Sequence, residues 1–191
     1  DVGAISRVLG LKGFHELQKD DEVPSELSRM IPRQYPSRMD HRLTHLVPHP
    51  TFFERNGQYM TVSNAGGKDR LGENLLNLIG VLSAEALAEL RCIVIIADMD
   101  ESSAEKRKEE IIKQIQSKEP EALTEMNNLM EGNLSISDYR FSFRLFLLPD
   151  NNTQGTLEAL LLEGAGQQYP DLLKGASTYI NSAKKNYSEE L

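Results

Sequence analysis

Two carboxylates follow an uninterrupted apolar segment. Asp98 and Asp100 come directly after residues 93–97, an Ile-Val-Ile-Ile-Ala run. Such a run predicts a strand buried on both faces, as in a parallel sheet covered by helices. Open α/β sheets bind ligands at the carboxyl ends of their strands, and paired carboxylates there suit Mg²⁺ or Mn²⁺. The pattern therefore predicts a divalent-cation site, although Asp100 can equally be a cap of the next helix.

Two further strands are predicted to end in polar turns. The segment 58–63 runs into Gly66-Gly67-Lys68, and the segment 139–148 runs into Asp150. If these strands and 93–97 are parallel, all three turns lie at one edge of the sheet. Lys68 and the backbone N–H groups of the glycine turn could then bind a phosphate. The alternative is a tight turn with a solvated lysine.

The remaining pattern alternates between strand and helix signals. It predicts an α/β sandwich with a mainly parallel central sheet flanked by helices. Ser102 and Glu105 form a predicted capping box for a helix that follows the acidic turn. Residues 121–131 read as a short helix closed by Gly132. Residues 20–56, rich in proline, arginine and histidine, read as a long loop or insertion.

Length and composition favour one cytoplasmic domain spanning residues 1–191. The 191 residues include 29 acidic and 21 basic side chains, a net charge of −8, so a polyanionic partner requires a local basic patch or metal ions. The single cysteine, Cys92, excludes a disulfide within the chain and is predicted to be a buried, inert thiol. Since no apolar run reaches 18 residues, no membrane span is expected.

A local basic patch is present between residues 29 and 49. Arg38 and Arg42 are its candidates for contact with nucleic acid. The alternative is a surface loop whose arginines pair with neighbouring acids. Three histidines recur there at every fourth residue, but the prolines at 48 and 50 argue against the helix that a zinc site would need: His41, His45 and His49.

Three motifs in this order resemble the Toprim fold. They are NAGGKD at residues 64–69, IADMD at residues 96–100 and LPDNNTQGTLEALLLE at residues 148–163. They are most similar to a Toprim-like family of stand-alone bacterial and archaeal proteins, and more distantly to nucleases of the overcoming-lysogenization-defect type. The resemblance implies a Toprim-like (Rossmann-like) fold and cleavage of DNA or RNA with Mg²⁺ or Mn²⁺.

The resemblance also implies roles for individual residues. Asp98 and Asp100 look like metal ligands with a catalytic role, Glu158 like the later acidic ligand, and Asp150 lies near it. Asp1 looks like the last residue of an EGxxD motif, a further ligand. The motif's glutamate, the usual general acid or base of the fold, and the first strand would then lie upstream of residue 1.

Three functional classes remain open. The first is a metal-dependent phosphodiester enzyme, a nuclease in which Lys68 also assists catalysis. The second is a non-catalytic Toprim-like module that binds a nucleotide or a protein. The third is a phosphatase that uses the first Asp of DxD as nucleophile, which Glu101-Ser102 fits poorly. Metal-dependent turnover would separate the two enzymes from the binding module.

Overall fold

The computed structural model describes residues 2–31, 50–127 and 130–187. The chain divides into two compact units. Unit 1 comprises residues 1–95 and 108–145, and unit 2 comprises residues 96–107 and 146–191. The prediction of a single domain stays a prediction.

The described residues form seven strands and six α-helices. The strands are β1 (His15–Glu16), β2 (Thr51–Arg55), β3 (Gln58–Val62), β4 (Cys92–Asp98), β5 (Leu123–Met126), β6 (Glu131–Ile136) and β7 (Tyr139–Leu148). The helices are α1 (Val2–Leu11), α2 (Leu71–Gly80), α3 (Ala84–Glu89), α4 (Ala104–Lys118), α5 (Leu157–Gln168) and α6 (Pro170–Tyr187). Among these helices none is long and apolar enough to cross a membrane.

The first sheet is an antiparallel ribbon of order β1-β2-β3 in unit 1. β2 and β3 form a hairpin around Asn56 and Gly57, whose φ angles of 52° and 76° suit a tight turn of positive-φ residues. Phe52 and Phe53 are buried with exposed fractions of 1% and 2%. The prediction that residues 20–56 are only a loop or insertion is therefore wrong for residues 51–55, which form a strand of this sheet.

The second sheet is mostly antiparallel, with the strand order β4-β7-β6-β5. The β5-β6 and β6-β7 pairs are both antiparallel. β4 runs parallel to β7, since the Ser142 N–H donates to the Arg91 carbonyl near one end and the Met99 N–H donates to the Leu148 carbonyl near the other. The predicted mainly parallel, Rossmann-like sandwich is therefore wrong: the fold is mixed α/β with one parallel strand pair.

The error arose in the segment between α4 and β7. Residues 121–131 are not a helix, because residues 123–126 form β5 and Glu131 begins β6. Gly132 does not close a helix but pairs with Met126 on one side and Phe143 on the other. Short connections join β5 to β6 and β6 to β7, which is possible because these pairs are antiparallel. A further parallel strand would have needed a helical crossover.

β4 is buried on only one face, contrary to the prediction. Ile93 and Ile95 are 7% and 6% exposed, whereas Val94 and Ile96 are 53% and 37% exposed. Cys92, predicted to be buried, is exposed as well. Burial alternates along β4 because successive side chains of a strand point to opposite faces of the sheet. β4 is also an edge strand of this sheet.

α4 follows the acidic turn, as predicted, and buries Ile111 and Ile115 completely. Its first turn is capped one residue later than predicted, because the Ser103 hydroxyl accepts from the Lys106 N–H at 3.3 Å. Within unit 1, the Gln114 side chain of α4 binds the start of α2. Its Oε1 accepts from the Gly72 N–H at 3.1 Å, and its Nε2 donates to the Lys68 carbonyl at 2.9 Å.

Candidate metal-binding site

The acidic turn after β4 and the turn after β7 lie at the same edge of the second sheet. β4 and β7 are parallel neighbours, so their carboxyl ends coincide. Both turns belong to unit 2, together with the start of α5. The expectation that three polar turns lie at one edge of a parallel sheet is therefore correct for this pair. It is wrong for the glycine turn, because the preceding strand, β3, belongs to the other, antiparallel sheet.

Asp98 ties the two turns together. Its Oδ1 accepts a hydrogen bond of 2.8 Å from the N–H of Leu157, the first residue of α5. The first N–H groups of a helix have no partner within the helix, and the positive end of the helix dipole lies there. Asp98 therefore satisfies one of these donors with a single oxygen, which leaves its second oxygen as the candidate metal ligand.

Asp100 holds the turns together through its backbone. Its N–H donates to the Gly155 carbonyl at 3.0 Å, and the two residues form an isolated antiparallel bridge. Asp100 has φ 52°, a conformation that Asp tolerates better than most residues. Next to it, the Gln154 Nε2 donates to the Glu101 carbonyl at 2.7 Å. These bonds support the turn that carries the two carboxylates.

Asp150 stabilises its own turn. Its Oδ1 accepts from the N–H groups of Asn152 and Thr153 at 2.9 and 2.7 Å, and from the Thr153 hydroxyl at 2.9 Å. These hydrogen bonds, the Thr153 N–H first among them, hold the pKa of the Asp150 carboxyl below its ordinary value. The structure gives Asp150 this structural role, and its assignment as a metal ligand stays a prediction.

Replacing Thr153 by valine is expected to raise the pKa of Asp150 only part of the way to its ordinary value, because the backbone donors remain. A depressed folded-state pKa stabilises the fold above the unfolded-state pKa, and this contribution is lost as the pH falls through the folded-state pKa. The stability difference between parent and variant should therefore be present at neutral pH and disappear in acid. Carboxyl-carbon NMR titration measures the pKa, and an unchanged value would contradict the hydrogen-bond assignment.

Glu158 lies exposed in the first turn of α5. Its own backbone N–H and the Thr156 hydroxyl hold its pKa below the ordinary value. Thr156 is also the N-cap of α5 and accepts from the Ala159 N–H at 3.3 Å. A carboxylate at a helix N-terminus is stabilised by the helix dipole without any metal. The position of Glu158 therefore agrees equally with a role in stabilising α5 and with the predicted role as a metal ligand.

Carboxylates and water are the ligands that Mg²⁺ and Mn²⁺ prefer. Within residues 2–31, 50–127 and 130–187, however, no three carboxylate, imidazole or thiolate side chains are grouped closely enough to hold a metal ion. An ion at this turn would therefore be held by one or two carboxylates and several waters, the way Mg²⁺ is commonly bound, and this assignment stays a prediction. The wider ligand set of Asp98, Asp100, Glu158, Asp1 and Asp150 stays a prediction.

The glycine turn belongs to unit 1. Gly66 and Gly67 have φ angles of 74° and 142°, where L side chains are strained. The Gly66 N–H donates to Asn64 Oδ1 at 2.8 Å, an arrangement typical of an Asx turn. Lys68 is exposed and begins a single 3₁₀ turn that leads into α2. The predicted turn at Gly66 and Gly67 is therefore confirmed. Phosphate binding by this turn stays a prediction.

Several predicted residues lie outside the described part of the chain. They are the metal-ligand candidate Asp1, the nucleic-acid candidates Arg38 and Arg42, and the three histidines weighed for zinc, His41, His45 and His49. Their assignments stay predictions.

The sequence predicts a turn that contains Asn151 and Gly155, but not the contacts that these two residues and Gln154 make. Asn151 accepts from the Leu147 N–H through its side chain, and Gln154 reaches the opposite turn. Gly155 has φ 159°, and a Cβ there would lie 3.2 Å from Pro149 Cδ. The run Asp-Asn-Asn followed by Gly was a signal for such a turn, whereas the contact of Gln154 with Glu101 has no local signal.

The geometry defines a mixed α/β protein with a carboxylate-bearing turn at the end of a parallel strand pair. Residues 39–190 match the family described as Protein of unknown function (DUF3226). Because the match covers well over half of the chain, the chain belongs to this family. The comparisons with curated proteins and with solved structures found no match.

Proposed function

We propose that unit 2 carries a Mg²⁺- or Mn²⁺-dependent site that cleaves phosphodiester bonds in DNA or RNA, as a nuclease of the Toprim type acting in the cytoplasm. One observation carries the proposal: Asp98 and Asp100 lie in a turn bound to the neighbouring strand's turn by three hydrogen bonds. These bonds join Asp98 to Leu157, Asp100 to Gly155 and Glu101 to Gln154. Catalytic carboxylates require such positioning.

The chemistry expected of the site follows from its donors. A divalent cation bound by carboxylates can lower the pKa of a water and stabilise charge on phosphodiester oxygens. Asp98 would contribute the oxygen that the Leu157 N–H does not use, and the hydrogen bond to Leu157 would fix the orientation of its carboxylate. Asp100, whose backbone N–H is bound to Gly155, would contribute the second carboxylate.

The glycine turn of unit 1 is a separate candidate site for an anion. Its positive φ angles keep Gly66 and Gly67 free of side chains, and a Cβ at either position would meet no atom within 4 Å. Backbone N–H groups in such turns can bind anions, and Lys68 adds a cation beside them. The Gly66 N–H already donates to Asn64 Oδ1, so the proposed anion contact is made by the rest of the turn. We propose that this turn and Lys68 bind a phosphate group.

A second function, a non-catalytic Toprim-like module, has its own supporting observation. The described residues provide no three-ligand group, and one oxygen of Asp98 is already used to cap α5. An acidic turn that only joins β4 to α5 would serve a binding module equally well. The two proposals differ in whether metal-dependent turnover occurs.

Incubation of the full-length protein with a panel of end-labelled DNA and RNA tests the nuclease proposal. We expect cleavage of at least one substrate with Mn²⁺ and none with EDTA. Single- and double-stranded forms of both nucleic acids belong in the panel, because no feature of the described residues selects among them. Folded protein that cleaves none of these substrates with either Mg²⁺ or Mn²⁺ would contradict the nuclease proposal and favour the binding module.

A further inference from the structure

Unit 1 contains a cavity lined by both polar and apolar residues, none of which belongs to the acidic turns. Its volume is about 280 Å³, and the described residues that line it include Arg29, Asn64, Asn74 and Asn77. At roughly 30 Å³ per water molecule, the volume equals about nine waters. This is close to the lower limit of ordinary ligand pockets, so the cavity suits a small molecule.

Two of the lining asparagines lie within α2, where asparagine is unfavourable. Asn74 and Asn77 are three residues apart and thus on the same side of the helix. Asparagine lowers helix propensity because its side chain competes for backbone hydrogen bonds. The amide of Asn74 is accounted for by its hydrogen bonds to Ser63 and Asn64, whereas the described residues give no such structural reason for Asn77.

The amides of the cavity offer both donors and acceptors. Asn64 uses its Oδ1 to accept from Gly66, which leaves its NH₂ group. Asn74 donates to the Ser63 hydroxyl and to the Asn64 carbonyl at 3.4 and 3.3 Å, which leaves its Oδ1 as an acceptor. The side chain of Asn77 makes no hydrogen bond within the described part of the chain. In DNA recognition, an asparagine or glutamine amide pairs with adenine, whose N6 donates and whose N7 accepts.

The other lining residues suit the rest of a nucleotide. Met30 and Val81 provide apolar surface against which a flat ring can pack. Arg29 is exposed and is the charged member of the described lining. A guanidinium binds phosphate through two parallel hydrogen bonds. On a protein with a net charge of −8, such a local cation is needed to attract an anion.

We propose that this cavity binds an adenine mononucleotide, with the base at the asparagine amides and the phosphate at Arg29. The inference goes beyond the proposed nuclease activity and does not depend on it, because none of the cavity residues belongs to the acidic turns.

Equilibrium dialysis of the full-length protein with radiolabelled AMP, in EDTA, tests the proposal without cleavage chemistry. We expect saturable binding of one AMP per chain, and binding of GMP that is about tenfold weaker or less, because guanine presents an acceptor where adenine presents a donor. Adenosine should bind more weakly than AMP. Absence of saturable AMP binding by the folded protein at millimolar concentration would overturn the proposal.

Two variants separate the roles of base and phosphate. Asn77→Leu should weaken the binding of AMP and of adenosine alike by about tenfold. Leucine is similar in size to asparagine but lacks the hydrogen-bonding amide. Arg29→Gln should weaken AMP but leave adenosine unchanged. Arg7→Gln, an equal charge change at an exposed site on α1 of the same unit, is the control and should bind as the parent does. Unchanged AMP binding in both cavity variants would also overturn the proposal.

Discussion

Replacing Asp98 by asparagine is expected to reduce Mn²⁺-dependent phosphodiester cleavage by about a thousandfold or more, since a metal ion contributes several kcal/mol to such reactions. The substitution keeps the hydrogen-bond acceptor of the side chain but removes its negative charge. An asparagine Oδ1 can still accept from the Leu157 N–H, so the cap of α5 is kept. The negative charge that would bind the cation is lost. Single-turnover cleavage at saturating Mn²⁺ measures the effect.

The control for this variant is Asp138→Asn, which removes the same charge from an exposed turn between β6 and β7 in unit 1. It should cleave at the parent rate. Asp98→Ala adds a second comparison, because it removes both the charge and the hydrogen bond to α5. An Asp98→Asn protein that is folded and cleaves as fast as the parent would contradict a catalytic role for this carboxylate.

Replacing Gly132 by alanine is expected to lower the free energy of unfolding by about 2–4 kcal/mol, which is large for the addition of one methyl group. Gly132 lies in β6 between two hydrogen-bonded strands, where a Cβ would collide with the Glu125 carbonyl oxygen and lie 2.6 Å from its carbon. The colliding atoms are backbone, so they cannot rotate away as a side chain would. Urea denaturation measures the loss.

Gly10→Ala is the matched control for this substitution. Gly10 lies in α1 of the same unit, and a Cβ there would meet nothing within 4 Å. Alanine is the better helix former, so this variant should be as stable as the parent or slightly more stable. Equal stability of the Gly132 and Gly10 variants would contradict the observed approach of β5 to β6.

The strands that carry the candidate site were predictable from the sequence. β4 and β7 combine β-branched or aromatic residues with abrupt polar ends, and α4 shows clear amphipathic spacing after a serine cap. The parallel pairing of β4 with β7 agrees with the acidic ends of both strands lying at one edge. These features are local or follow from one strand pair, so the sequence pattern contains them.

The sheet as a whole was not predictable in this way. Ala122, Met126 and Met130 recur at every fourth residue, a helical period, yet the segment forms two short strands. The pairing of β5 with β6, and of β6 with β7, therefore overrides the local preference. The β2-β3 hairpin is a different case, because Asn56-Gly57 between two alternating segments was a readable signal that the prolines nearby obscured.

The residues of the candidate site were proposed from the sequence, whereas their contacts could not be. The Asx-type turn of Asp150 follows from the residue types within four positions. The hydrogen bond between Asp98 and Leu157 joins residues 59 positions apart, and no local pattern encodes it. Contacts of this range depend on the packing of the turns, which only the three-dimensional structure provides.

The central claim, that the turn after β4 binds a divalent cation, is tested most directly by Mn²⁺ binding. Electron paramagnetic resonance titration of the full-length protein counts bound Mn²⁺ without requiring a substrate. We expect saturable binding by the parent and by Asp138→Asn, and binding weaker by about tenfold or more in Asp98→Asn, which has one carboxylate fewer. Equal Mn²⁺ affinity in the parent and in a folded Asp98→Asn variant would contradict the claim.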